Sequence, residues 1–184
     1  LIQGVSPRRA YYSAAVEYES THDELTGLLN YRAFSEFVEN TRGNDIRGDL
    51  KLGVVDIDHF KWVNDRYGHL AGNELLKGFA TYLLTSLQER FQQNVAVYRF
   101  GGEEFCIVFD GIEETKCTQA MQEIEKHLQN HPFVLDEGQR LTISFSCGIA
   151  RSEETDPHRS LRAADEQLYR AKRQGRAQIC TNFA

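Results

Sequence analysis

One stretch limits the fold more than any other: LKLGVVDID, residues 50–58. A nearly continuous apolar run of this length reads as a β-strand buried on both faces. Such a strand needs cover above and below. It ends in two carboxylates, Asp56 and Asp58, which the two-residue period of a strand projects on the same face. A second stretch, RFGGEEFCIVF (99–109), sets two adjacent glutamates after a Gly-Gly turn. The flanking runs VAVYRF (95–100) and EFCIVF (104–109) give a strong hairpin signal around Gly101-Gly102. With a two-residue loop, Arg99 lies opposite Glu104. If this hairpin neighbours the 50–58 strand, Asp56, Glu103 and Glu104 converge at one edge of the sheet.

Helical periodicity fills much of the remainder. RRAYYSAAVEYES, with Tyr11, Ala15 and Tyr18 at spacings of 4 and 3, reads as the tail of a linker helix over residues 1–20. A polar connector follows, then a helix carrying Phe34, Phe37 and Val38 that Gly43 ends. Leu76, Phe79, Ala80, Leu83 and Leu87 stripe a helix over 72–90. Cys117, Ala120, Met121, Ile124 and Leu128 stripe one over 113–129, and Leu161, Ala164, Leu168 and Ala171 one over 158–174 that stops at Gly175. LTISFSCGIA (141–150) reads as one strand and AQIC (177–180) as a short one. Strands and helices alternate without a strict βαβ rhythm, and a hairpin interrupts them. The expected fold class is α/β: a mixed central β-sheet flanked by helices, in a single domain over residues 21–184.

Composition bears on function mainly by exclusion. A net charge of −6 with no basic block gives no nucleic-acid footprint, although a local basic pocket could still take an anionic ligand. No run reaches the ~18 apolar residues of a membrane span, and no signal-peptide pattern opens the chain. This segment is therefore expected in the cytoplasm without membrane contact. The start at Leu1 suggests a piece of a longer protein, with any anchor or sensor upstream. Cys106, Cys117, Cys147 and Cys180 form no CxxC or metal spacing and are expected as buried free thiols in a reducing compartment.

A cluster of three or four carboxylates raises their pKa values and costs stability. A hard divalent cation removes that cost, and Mg²⁺ keeps open positions for phosphates. Such a site suits in-line displacement at phosphorus. Taken alone, the hairpin reads equally as two solvated turn residues, one paired with Arg99.

Five stretches in order carry a resemblance: DELTGLLNYRAF (23–34), DIDHFKWVNDRYGHLAGNELL (56–76), GGEEF (101–105), FSCGIA (145–150) and ADEQLYRAKRQGR (164–176). Over residues 21 to 181 or so, the chain resembles the GGDEF-domain diguanylate cyclases of bacteria, with GGEEF as the signature variant. The resemblance implies a nucleotidyl-cyclase-like, palm-like fold. It also implies an enzyme that condenses two GTP into cyclic di-GMP and two pyrophosphates, as a homodimer with one GTP on each subunit, under an upstream sensor domain.

Carried over residue by residue, the resemblance makes Asp56, Glu103 and the Ile57 carbonyl ligands of Mg²⁺ or Mn²⁺. Glu104 becomes the residue that activates the ribose 3′-hydroxyl or holds a second metal. Gly101 and Gly102 let the backbone approach the nucleotide, and the amides of His59, Phe60 and Lys61 cradle phosphates. Lys172 and Arg176 grip the triphosphate. Asn64 and Asn73 read guanine, and His69 lines the same pocket. By themselves, Lys172 and Arg176 also read as a solvated basic face, and His69 as a structural turn residue. Asp65 is expected to be a structural partner in its turn, and Asp23 and Asn30 to fix the opening turn.

Two departures stand out. The family's product-inhibition site, Arg-x-x-Asp, is replaced by Gln92-Gln-Asn-Val95, so none is expected here. Position 73, usually Asp in the family, is Asn73; Gln167 and Ala177 are lesser deviations. Three rival readings follow: a degenerate domain that binds GTP or cyclic di-GMP without turnover, a purine-relaxed cyclase, and a dimerising output module whose stalk matters most.

Overall fold

The computed structural model describes residues 7–41, 49–152 and 157–183. Helix α1 (Pro7–Thr21) leads through a turn to β1 (Leu29–Asn30) and α2 (Tyr31–Thr41). Strand β2 (Leu50–Ile57) is followed by α3 (Phe60–Tyr67) and the long α4 (His69–Phe91). The hairpin is β3 (Val95–Gly101) with β4 (Glu104–Asp110), and α5 (Glu114–Asn130) follows it. After β5 (Phe133–Val134) and β6 (Arg140–Leu141) come β7 (Phe145–Arg151), α6 (Pro157–Arg173) and β8 (Ile179–Thr181). Residues 1–6 of the expected linker, the Tyr11 side chain and Gly43 lie outside the described residues and side chains.

The apolar run at 50–57 is buried at every position and sits in the middle of the sheet, whose order is β1-β3-β4-β2-β7-β8. β2 pairs antiparallel with both β4 and β7, while β1–β3 and β7–β8 are parallel. The mixed sheet is thus the one expected. Side chains alternate between two covered faces. Val55, Ile57, Phe105, Ile107, Phe109, Phe145 and Cys147 face the stripes of α4 and α5. On the other face, Leu50, Leu52, Cys106 and Val108 pack with Phe34 and Val38 of α2. Val54 and Ala150 pack there with Ala164 and Leu168 of α6. All four cysteines are free and buried, and burial pushes the Cys117 thiol up to about 12. Among the described residues, no helix is long and apolar enough to cross a membrane.

Two expectations need correction. The segment 141–150 is not one strand: Leu141 pairs with Phe133 in a separate two-stranded sheet, and β7 begins only at Phe145. Phe133 anchors that small hairpin by packing over the bare backbone of Gly78 in α4, so the chain must turn before joining the main sheet. The hairpin at 101–102 also differs. Arg99 lies opposite Phe105, because a bulge at Phe100 shifts the register and sets Gly101 against Glu104.

Helix α6 lies unusually close to the sheet. A Cβ built on Gly148 of β7 would run into the Ala164 carbonyl and the Leu168 amide, both of them backbone. Gly148→Ala is expected to cost about 3 kcal/mol by overpacking, lowering Tm by roughly 6–12 °C for a chain of this size. Gly53→Ala, whose Cβ meets the edge of the Phe109 ring at 3.4 Å, should cost less than half as much. Thermal unfolding of the two variants checks the comparison.

Candidate active site

The antiparallel register sets Asp56, at the end of β2, directly opposite Glu104, at the start of β4. Directly opposite residues project on one face, here the face that α6 covers. Beside them the Ile57 amide donates to the Glu103 carbonyl at 3.4 Å, tying the glutamate turn to the end of β2. Gly101 and Gly102 take φ of 119° and 51°, the left-handed region that a side chain resists. Arg99 does not pair with Glu104. Its Nε and Nη2 donate to the Gly102 carbonyl at 3.2 and 2.9 Å, and Nη1 reaches both Asp23 oxygens at 3.0 Å. Asp23 also accepts from the Thr26 amide and hydroxyl at 2.8 and 2.7 Å. Burial alone would raise its carboxyl, but the Thr26 and Arg99 bonds outweigh that and hold it below the usual range. Asn30 bonds the Ser20 carbonyl and the Ala33 amide, at 3.0 and 2.9 Å. The opening turn thus braces the glutamate turn.

From α6, Lys172 donates to Asp56 Oδ2 at 2.6 Å. Desolvation pushes the Asp56 carboxyl up; the Lys172 bond and charge oppose this, and Glu103 and Asp58 add to it. Glu104 is raised as well, first by desolvation and then by the charges of Asp56 and Asp165, with Lys172 opposing. Asp165 is raised by desolvation against Lys172. One ammonium therefore serves a group of carboxylates. Their hard oxygen donors, with the Ile57 carbonyl alongside, are the chemistry that Mg²⁺ or Mn²⁺ takes. The residues fit such an ion. Among the described residues, no three potential ligands already stand in coordinating geometry.

A second group lies at the α3–α4 corner. His59 precedes α3 with φ of 56° and makes no side-chain cap. The Phe60 and Lys61 amides, in the first turn, have no carbonyl of their own helix to bond. The Phe60 ring is buried, whereas Lys61 is exposed. Asn64 packs so closely on Gly72 that a Cβ there would collide with its amide oxygen, which brings it next to Asn73. His69 and Asn73 are both exposed. Asp65 lies within α3 and is also exposed, and its side chain makes no hydrogen bond among the described residues, contrary to its expected part in the turn. Arg176 lies beyond the end of α6, exposed, in a turn tied back through its amide to the Ala171 carbonyl at 3.0 Å. At positions 92 and 95, Val95 is buried in the core and the Gln92 side chain donates to the Glu89 carbonyl at 3.4 Å.

Sequence reasoning missed Asp165 and gave Arg99 the wrong partner. Asp165 was findable: it precedes Lys172 by two helical turns, on the same side of α6. The Arg99–Asp23 pair spans two distant segments and left no local signal.

The family model described as "Diguanylate cyclase, GGDEF domain" matches residues 20–178. The chain is similar to diguanylate cyclase DgcP of Pseudomonas aeruginosa, 39% identical over 160 residues that cover 85% of this chain and 23% of that protein. It is likewise similar to diguanylate cyclase DgcZ of Escherichia coli, 34% identical over 158 residues that cover 85% of this chain and 52% of the relative. The chain thus spans well under two thirds of each. A solved structure, the coiled coil and GGDEF domain of DgcB from Caulobacter crescentus in complex with c-di-GMP, superposes with a TM-score of 0.85. It is 26% identical, covering 95% of this chain and 92% of that one.

The raised Glu104 carboxyl has a consequence for stability. A carboxyl whose folded pKa exceeds its unfolded one weakens the fold above the folded pKa, and the cost vanishes below the unfolded pKa. Glu104→Gln is therefore expected to raise Tm at neutral pH and to lose the gain as the pH falls through the carboxylate range. Screening at this exposed position keeps the gain under ~1 kcal/mol. Melting curves between neutral pH and the acid limit of the fold check it.

Proposed function

We propose that this chain, which belongs to the GGDEF domain family of diguanylate cyclases, condenses two GTP into cyclic di-GMP and two pyrophosphates as a homodimer. The observation that carries the reading is the Asp56–Glu104 pair across β2 and β4, with Lys172 on the Asp56 carboxylate and the Glu103 carbonyl on the Ile57 amide.

In this reading Asp56, Glu103 and the Ile57 carbonyl hold Mg²⁺ or Mn²⁺. The ion, when bound, neutralises the triphosphate and acts as a Lewis acid on its oxygens. The free amides at the start of α3 bind phosphate oxygens, and Lys172 and Arg176 bring positive charge to the same group. Asn64 and Asn73 orient the base. Glu104, its carboxyl already shifted upward, accepts the proton of the ribose 3′-hydroxyl. The O3′–Pα bond forms with the GTP of the facing subunit, and the Pα–O bond to the β-phosphate breaks, releasing pyrophosphate. A second, symmetric transfer closes the ring. Positioning and charge supply most of the stabilisation in such a transfer.

The end of α1 is proposed as the linker that sets the two subunits face to face. Val16 and Tyr18 on it are 64% and 55% exposed, an apolar surface that a second copy could cover. An upstream sensor acting through α1, and a cytoplasmic setting for this segment, belong to the same proposal. With Gln92 and Val95 at the family's inhibitory position, no bidentate arginine is there to grip product, so turnover proceeds without tight feedback through that site.

Incubation with GTP and Mg²⁺, with products identified by mass, tests the activity. Cyclic di-GMP and pyrophosphate are expected, and Asp56→Asn or Glu103→Gln should abolish both while circular dichroism stays unchanged. A degenerate binding domain would yield no product from the unaltered chain.

Base selection gives a separate test. Aspartate at position 73 could accept from guanine N1–H and its 2-amino group with charge assistance, whereas Asn73 offers one neutral acceptor and a donor. The difference is ~1 kcal/mol, or several-fold in affinity. Asn73→Asp is therefore expected to widen the preference for GTP over ATP in direct competition. An unchanged ratio would show that position 73 does not read the base.

A further inference from the structure

Three successive residues after α6 have positive φ: Gly175 at 112°, Arg176 at 63° and Ala177 at 50°. Glycine adopts this region freely, but each non-glycine residue there costs on the order of 1 kcal/mol. Such a stretch persists only where its surroundings hold it, and strained backbone of this kind gathers at working sites. The Arg176 amide is tied to the Ala171 carbonyl and the Arg176 carbonyl accepts from Gln178 Nε2, at 3.0 and 3.2 Å, and the third hold is a buried carboxylate. The Ala177 amide donates to Asp58 Oδ2 at 3.0 Å. The same oxygen accepts from the Ser144 hydroxyl at 2.7 Å, and Oδ1 accepts from the Ser146 hydroxyl at 2.7 Å. The Asp58 amide completes the junction by donating to the Ser144 carbonyl at 3.0 Å. Asp58 is only 7% exposed.

A single side chain thus joins three segments: the end of β2 just past Asp56, the entrance to β7, and the turn that carries Arg176. The three donors that meet the carboxylate are uncharged, and among the described residues no lysine or arginine bonds to it. That is the environment of a hydrogen-bond hub rather than of a metal ligand or a proton acceptor.

We propose that Asp58 is a positioning residue that presets Arg176 against the Asp56 end of β2, so that the triphosphate meets an arginine already in place. The proposal rests on the reading that Arg176 contacts the triphosphate. It differs from a metal role for Asp58 in a way that chemistry can separate. Asparagine keeps one acceptor oxygen for the Ala177 amide, and the serine hydroxyls can rotate to accept from its amide. A metal ligand loses its charge on the same change.

The test compares Asp58→Asn with Asp58→Ala. Asp58→Asn should keep KM for GTP within about threefold of the unaltered chain and leave the Mg²⁺ requirement unmoved, whereas Asp58→Ala should raise KM about tenfold or more with a smaller change in kcat. In an Arg176→Ala background, Asp58→Ala should add almost nothing to KM, because both changes remove the same contribution. Loss of turnover in Asp58→Asn with a displaced Mg²⁺ requirement, or additive KM effects with Arg176→Ala, would overturn the proposal.

Hydrogen exchange at the Ala177 amide gives a readout independent of activity: protection should survive Asp58→Asn and vanish in Asp58→Ala. Undiminished protection in Asp58→Ala would refute the clamp itself. A chain that makes no cyclic di-GMP would instead overturn the functional reading and leave the exchange result standing. If Asp58→Ala does not fold, the paired change Ser144→Ala with Ser146→Ala carries the same comparison. It leaves the carboxylate bonded to Ala177 alone, so faster exchange at that amide and a raised KM are expected; unaltered exchange together with an unaltered KM would overturn the proposal.

Discussion

The pairing register of β2 with β4 is the constraint on which the site depends. A slip of one residue would send every side chain of β2 to the opposite face. The register is fixed by burial: Val55 and Ile57 must join Phe105 and Phe145 in one core, and Leu52 must join Cys106 and Val108 in the other. Given those demands, Asp56 has no choice but to stand opposite Glu104. The bulge at Phe100 then confines the irregularity to β3 and leaves the β2–β4 ladder intact. Hydrophobic packing at one end of the strands thereby sets the geometry of carboxylates at the other.

That geometry works against stability. Asp56, Glu104 and Asp165 are all driven upward by desolvation, with Lys172 as the nearby opposing charge. A fold selected for stability alone would not gather them. The arrangement persists because α6 delivers Lys172 to Asp56 and is itself pressed onto the sheet at Gly148, where backbone meets backbone. The helix that supplies the cation also supplies Asp165 and leads into the strained turn of Arg176. Small displacements of α6 would change the charge balance at Asp56 and the position of the Arg176 turn together, which makes its seat on β7 as consequential as any side chain in the candidate site.

The braces around the site come from segments distant in sequence. Arg99 reaches Asp23 across 76 positions and Lys172 reaches Asp56 across 116. Asp58 gathers Ser144, Ser146 and Ala177. The Arg99 and Asp58 bonds fix turns that carry candidate functional groups, and the Lys172 bond ties α6 to the end of β2, so rigidity at the open face is imported from the core beneath it.

The sequence by itself determined the elements and the chemistry. The apolar run at 50–57, the Gly-Gly hairpin and the helical stripes specify strands and helices because burial periodicity is local and strong. The ordered motifs pointed to the family, and the carboxylates at the ends of two strands supplied the candidate oxygen donors. Only the tertiary structure decided the partners. That Arg99 serves Asp23 and the turn rather than Glu104 follows from a one-residue bulge, which no periodicity announces. That 141–150 divides between two sheets follows from Phe133 packing on Gly78, a contact between helix and hairpin. Asp58 reads in sequence as the second of two matching carboxylates, and only its hydrogen bonds separate it from Asp56. Long-range contacts leave no spacing in the chain, so the roles of like residues are settled where the chain folds back on itself.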